Sequence, residues 1–210
     1  IPFFVMLGHL LNHTGITRRM LKLAEVLMGH FSGGLAHANV LLSTMMGGMS
    51  ASNLADCAML TKMLVPEMQR LGYNKAYSAA ITAAGSLITP IIPPGIALII
   101  YGYVADVSIG KMFMAGVIPG LLCCVMLLVS IAIVSKKRGY KPARTHGPTL
   151  KEFLIALKEC FWGLMLVVVI IGGIRMGMFT PTEAGAVAVV YAIIVGMFVY
   201  KEMAFNDIKV

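Results

Sequence analysis

The sequence predicts an all-α integral membrane protein, and three observations carry that prediction. Of 210 residues, 59% are hydrophobic and 12% charged, with a mean hydropathy of +0.87, well beyond the apolar share of a soluble domain. The run Met112 to Ser135 (MFMAGVIPGLLCCVMLLVSIAIVS) holds no charge and reaches the ~20 residues that cross a bilayer. Two further apolar stretches are interrupted at their centres, one by glycine and serine at 47–56 and one by Pro90, Pro93 and Pro94.

The formal net charge of +8 sits beside apolar segments, where it marks membrane orientation rather than a nucleic-acid surface. Cys57, Cys123, Cys124 and Cys160 form no CxxC pair and read as small core or lipid-facing residues. The chain opens at Ile1, already apolar, without the charged n-region of a signal peptide, and is read as a fragment.

Taken in order, 1–32 comprises the end of a span (Ile1 to Leu11) and an amphipathic helix over Thr17 to His30, whose Arg18, Arg19 and Lys22 mark the cytoplasmic interface. Residues 33–110 hold the two interrupted stretches. Gly33 to Pro66 reads as a re-entrant hairpin with its tip at 47–56, leaving Glu67, Arg70 and Lys75 in a cytoplasmic loop. Ala76 to Tyr103 reads as one crossing broken at Ser86 to Gly95 (SLITPIIPPG). Residues 111–152 give a span followed by a basic loop, from Lys136 to Lys151, that the positive-inside rule places in the cytoplasm. In 153–210, Phe161 to Ile174 crosses outward and Ala184 to Tyr200 returns, with Trp162 and Tyr200 as interfacial aromatics.

A pair of interrupted apolar segments is the sequence pointer to a transporter site at the bilayer midplane. Each break frees carbonyls at one half-helix end and N–H groups at the other. Carbonyls with hydroxyls suit a hard cation such as sodium, and N–H groups at helix starts suit a carboxylate. The freed carbonyls lie near Thr89 and Ile92. An ordinary proline kink is the competing reading of the second break.

The stretches GGLAHANVLLSTMMGGMSASNLADCAML, LGYNKAYSAAITAAGSLITPIIPPGIALIIYG and GMFTPTEAGAVAVVYA, in this order and spacing over essentially the whole chain, closely resemble the large membrane subunit of tripartite ATP-independent periplasmic (TRAP) transporters. The resemblance implies a bacterial inner-membrane protein that uses a sodium gradient to import organic acids such as C4-dicarboxylates and sialic acids. Its implied partners are a periplasmic substrate-binding protein and a small membrane subunit. The implied fold is an inverted-repeat, elevator-type transporter. Residues 33–110 would then be the transport-domain hairpin and broken helix of the first repeat, 1–32 scaffold, and 153–210 scaffold helices opening the second repeat. The second hairpin would lie outside this chain.

Carried over residue by residue, the resemblance implies a sodium site at Gly47 and Ser50 of the hairpin tip and Thr89, Ile92 and Pro93 of the broken segment. Ser52, Asn53, Ser86 and Gly95 are implied as polar or backbone neighbours of the substrate. The family's usual ISGS and SSTIGPIIPPS read MSAS and GSLITPIIPPG here, so Ala51 replaces a glycine, while Gly85, Thr89 and Gly95 alter the hydroxyl pattern.

The remaining charges at depth divide between function and structure. Arg175 is a candidate for attracting an anionic substrate, against the plainer reading of snorkelling to the outer interface. Asp56 is read as a cap or pair within the hairpin, Asp106 as part of a turn, and Glu183 as the N3 residue of a capping box begun by Thr180. His9 and His13 have metal-compatible i, i+4 spacing but read as a polar helix end. Met45, Met46 and Met49 raise a soft-metal alternative, weaker than their reading as apolar filler.

A proton-coupled carrier of similar architecture is the main rival, with Asp56 or Glu183 titrating. A membrane enzyme lacks its signature, since HExxH, GxSxG and paired carboxylates at catalytic spacing are all missing. A purely structural subunit is disfavoured by doubly broken helices at membrane depth.

Overall fold

A computed structural model describes residues 2–47, 53–144 and 146–203, and every regular element among them is helical. The order is α1 (Pro2–His13), α2 (Ile16–Met28), α3 (Gly34–Gly47), α4 (Asn53–Arg70), α5 (Lys75–Ser86), α6 (Ile96–Val104), α7 (Ile109–Arg138), α8 (Leu150–Arg175) and α9 (Pro181–Ile194), which continues as a π-helical turn over Val195–Val199. Helices α7 and α8 are long and apolar enough to cross a membrane. Most of their side chains face outward, Ile118, Leu122, Met126 and Val168 among them. That is the surface a lipid-embedded helix presents.

The helices pack in two series joined by a contact as extensive as any within them. Helices α3, α4, α5, α6 and α7 pack among themselves, as do α1, α2, α8 and α9, and the extensive seam between the two sets is α2 against α3. The amphipathic pattern of α2 explains this position. Its buried face, Ile16, Met20, Leu23 and Ala24, meets both α3 and α8, while Arg19 and Lys22 pair with Glu202 (2.6 Å) and Glu159 (2.8 Å). Arg19 also lies 3.8 Å over the Tyr200 ring. The basic residues that mark an interface are therefore tied to helix ends as well.

The loop after α7 is pinned to the same end of the molecule. Tyr140 stacks on Tyr73 at 4.4 Å and its hydroxyl accepts from the Asn74 N–H. Arg144 donates its backbone N–H to Gly29 O (3.0 Å) and its Nη2 to Glu152 (3.0 Å). Glu25, Glu67 and Arg144 line a cleft of about 330 Å³ there. Burial, then the neighbouring Glu67, push the Glu25 carboxyl above the usual carboxylate range, against the pull of Arg144.

Two boundaries differ from the sequence reading. Helix α4 runs through Pro66 to Arg70, so Glu67 and Arg70 form an i, i+3 pair (3.3 Å) on its last turn and Lys75 opens α5. Burial of Leu64, Val65 and Met68 holds that turn on both sides of the proline. Helix α8 starts at Leu150 rather than near Phe161, because Thr149 and Glu152 form a capping box. Asp106 takes the left-handed region at φ 51° within the turn, and Ser108 rather than Asp106 is the N-cap of α7.

Candidate functional site

The proline-rich segment does break its helix, between Ser86 and Ile96. After α5 the chain tightens into successive turns, with Thr89 N donating to Ser86 O and both Ile91 N and Ile92 N to Ile88 O. Among the described residues, the carbonyls of Thr89, Ile92 and Pro93 accept no backbone hydrogen bond. Gly95, extended at φ −65° and ψ 135°, then starts α6 without a side-chain cap. A Cβ at Gly95 would collide with Pro90 O. The glycine is thus what the closed 90–95 turn of this chain requires.

The hairpin meets this break. Gly47, the last residue of α3, is so close to it that an added Cβ would lie 3.0 Å from Ile92 Cβ and 3.2 Å from Thr89 O. Four of the candidate residues, Gly47, Thr89, Ile92 and Pro93, therefore come from two elements that the fold brings together. Ser50, Ser52 and Met49 lie outside the described residues, and Asn53 stands half-buried at the start of α4.

Thr89 is the most informative member. It is 1% exposed, and its Oγ1 is buried without a hydrogen-bond partner. Such a group costs about 1–3 kcal/mol when left unpaired, so it points to an absent partner. An acceptor oxygen beside free carbonyls is the donor set of a hard cation, and sodium fits it. The nearby hydroxyls are differently occupied. Ser86 donates to Thr82 O (2.8 Å), Thr82 to Ser78 O, Ser43 to Asn39 O and Thr44 to Val40 O.

Asn39 and Ser43 of α3 meet Thr82 and Gly85 of α5 in a buried seam. Asn39, fully buried, donates from Nδ2 to Thr82 Oγ1 (2.7 Å), while its Oδ1 has no partner. Gly85 permits the approach, because a Cβ there would sit 3.1 Å from Ser43 Oγ. Asn39 and Gly85 thereby lock the hairpin arm to the stem of the broken segment.

The sequence reading missed the wall behind the break. Gly116 and Gly120 of α7 form a notch into which the break is pressed. A Cβ at Gly116 would strike Ile91 O, and one at Gly120 would strike Ile92 Cγ1. The signal was available as two small residues four apart, GVIPG, in an apolar helix.

The other charged candidates stand on α4, α8 and α9. Asp56 is buried in the first turn of α4. Glu183 accepts from Thr180 N and Thr180 Oγ1 at 2.8 Å each, completing the anticipated capping box of α9. Arg175 opens into a separate cleft with Lys111, at the end of α8 away from the basic loop.

The family model for the DctM component of tripartite ATP-independent periplasmic transporters matches residues 1–210. The large permease protein of a sialic acid TRAP transporter from Vibrio cholerae is 44% identical over 206 residues, covering 98% of this chain and 48% of that protein. A C4-dicarboxylate TRAP large permease from Pseudomonas aeruginosa is 39% identical, covering 99% and 48%. A 2,3-diketo-L-gulonate TRAP large permease from Escherichia coli is 40% identical, covering 98% and 48%. The chain thus spans about half the length of these curated relatives, which are transporter permeases rather than enzymes.

Proposed function

Because the chain belongs to the DctM component family of tripartite ATP-independent periplasmic transporters, we propose that it supplies one half of the binding machinery of a sodium-coupled organic-acid importer. The observation that carries this reading is the buried, unpartnered Thr89 hydroxyl, set beside free carbonyls where the hairpin meets the helix break. Sodium is held by the carbonyls of Gly47, Thr89, Ile92 and Pro93 with the hydroxyls of Thr89 and Ser50. The carboxylate substrate lies toward Ser52, Asn53, Ser86 and the start of α6 at Gly95, where the first N–H groups of a helix favour an anion. The substrate class is that of the relatives' names: a sialic acid, a C4-dicarboxylate or a related sugar acid.

Transport follows an elevator mechanism in which the body of α3 to α7 moves against α1, α2, α8 and α9. Helix α2, packed against both α3 and α8, is where the two sets meet and would slide. A second hairpin, in the part of the relatives that this chain does not span, completes the site. The protein sits in the bacterial inner membrane as a multi-pass subunit, receives substrate from a periplasmic binding protein and works beside a small membrane subunit. Arg175 lines a cleft with Lys111 at the far rim, where it draws the anionic substrate toward the site.

A proton-driven carrier is the second reading, favoured by one observation: Asp56, 3% exposed, on the hairpin's second arm. Both readings are tested by uptake of candidate acids into proteoliposomes carrying the full-length permease with its binding protein. Sodium-dependent uptake that falls about tenfold in Ser50→Ala and in Thr89→Val, the loss of one charge-assisted ligand each, supports the sodium site. Uptake driven by a pH gradient without sodium, and abolished in Asp56→Asn, supports the other.

A further inference from the structure

The far rim of the long helices carries a feature that goes beyond the transport reading. Helix α7 begins and helix α8 ends at the same rim, opposite the basic loop that joins them. There Lys111 and Arg175, one from each helix, line a cleft of about 360 Å³ whose floor is Phe113, Met114, Ile171 and Ile174. Among the described residues neither cation has a carboxylate partner.

The cleft continues downward. Helices α7 and α8 scarcely touch, and the crease between them holds a second cavity of about 300 Å³, lined by Val117, Leu121, Leu164, Val167 and Val168. The two cavities share Ile171. The lower one reaches Ile92 and Pro93 of the broken segment. A cationic mouth over a continuous apolar crease is complementary to a molecule with an anionic head and a hydrocarbon tail.

The geometry points to a binding site for one anionic phospholipid, with its phosphodiester on Lys111 and Arg175 and one acyl chain in the α7–α8 crease. The first-turn N–H groups of α7 face the same headgroup. Gly110 leaves room for it, since a Cβ there would find nothing nearer than 3.8 Å. A free dicarboxylate or inorganic phosphate would satisfy the two cations but leave the crease unfilled. Because α7 packs on α3 and α6 while α8 packs on α2 and α9, the lipid tail lies between two helices that scarcely meet otherwise.

The test is native mass spectrometry of the purified full-length permease, titrated with phosphatidylglycerol or phosphatidylcholine. The wild type is expected to retain phosphatidylglycerol about tenfold more tightly, as two interfacial cations imply. The Lys111→Gln/Arg175→Gln pair should bring the two lipids to parity, and Lys111→Arg/Arg175→Lys should keep the preference. Equal retention by the wild type overturns the proposal, as it would if the remainder of the full-length chain filled the crease. So does a preference that survives the glutamine pair. Displacement of phosphatidylglycerol by millimolar phosphate or succinate reassigns the cations to a free anion and overturns it equally.

Discussion

Segments 86–95 and 112–135 are both apolar and both contain proline, yet the first stops being a helix and the second crosses unbroken. In α7, Pro119 withdraws a single N–H and the helix continues from Ile109 to Arg138. In the other segment Pro90, Pro93 and Pro94 act on Thr89, Ile92 and Pro93 in succession, so too few consecutive residues remain free to continue the helix. The density of proline therefore decides the outcome. The unbroken helix also shapes the broken one, because Gly116 and Gly120 of α7 receive Ile91 and Ile92.

The largest effect should come from destroying that fit. Gly116→Leu forces a side chain onto Ile91 O and is expected to cost about 3 kcal/mol, the upper end of overpacking, read as a fall in Tm of the full-length permease. Gly147→Ala, at a glycine with open space around it, should change stability by less than about 0.5 kcal/mol. Equal effects would mean that α7 does not mould the break. Next comes the stem: Asn39→Ala removes the buried bond to Thr82 and should cost about 2 kcal/mol, with urea denaturation as the measure.

Thr89→Val sharpens the comparison from inside the break. Deleting an unpartnered buried hydroxyl should raise stability in sodium-free buffer by about 1 kcal/mol or leave it unchanged. The same variant should lose the stabilisation that added sodium gives the wild type. The smallest effect lies away from both segments. Glu25 has a raised carboxyl pKa from burial and then from Glu67, so its ionised form destabilises the fold at neutral pH. Glu25→Gln should stabilise by a few tenths of a kcal/mol there, after discounting for solvent screening. That gain should vanish as pH falls below the ordinary carboxylate range, where Glu25 is protonated in both folded and unfolded states.

Local chemistry was legible in the sequence and tertiary fit was not. The break at 86–95 and the Thr180–Glu183 cap depend on residues within one turn of each other, and both stand where the sequence put them. The start of α8 was equally local, but Thr149 and Glu152 were passed over in favour of the apolar run that follows. Helix α4 outlasts Pro66 because distant side chains bury Leu64 and Met68, which no local rule contains. Within the candidate site, Thr89 and Gly47 were named in advance, but the roles of Asn39, Gly116 and Gly120 emerge only when α3, α5 and α7 are side by side.

The hydroxyls of α3 and α5 share an orientation with an electrical consequence. Ser43, Thr44, Ser78, Thr82 and Ser86 each turn their one proton back to a carbonyl of their own helix. What each can offer beyond its own helix is lone pairs, as Thr82 does to Asn39. The seam leading to the break is thereby polarised with its negative side outward. A neighbour entering the seam therefore has to bring its own proton, as the Asn39 amide does.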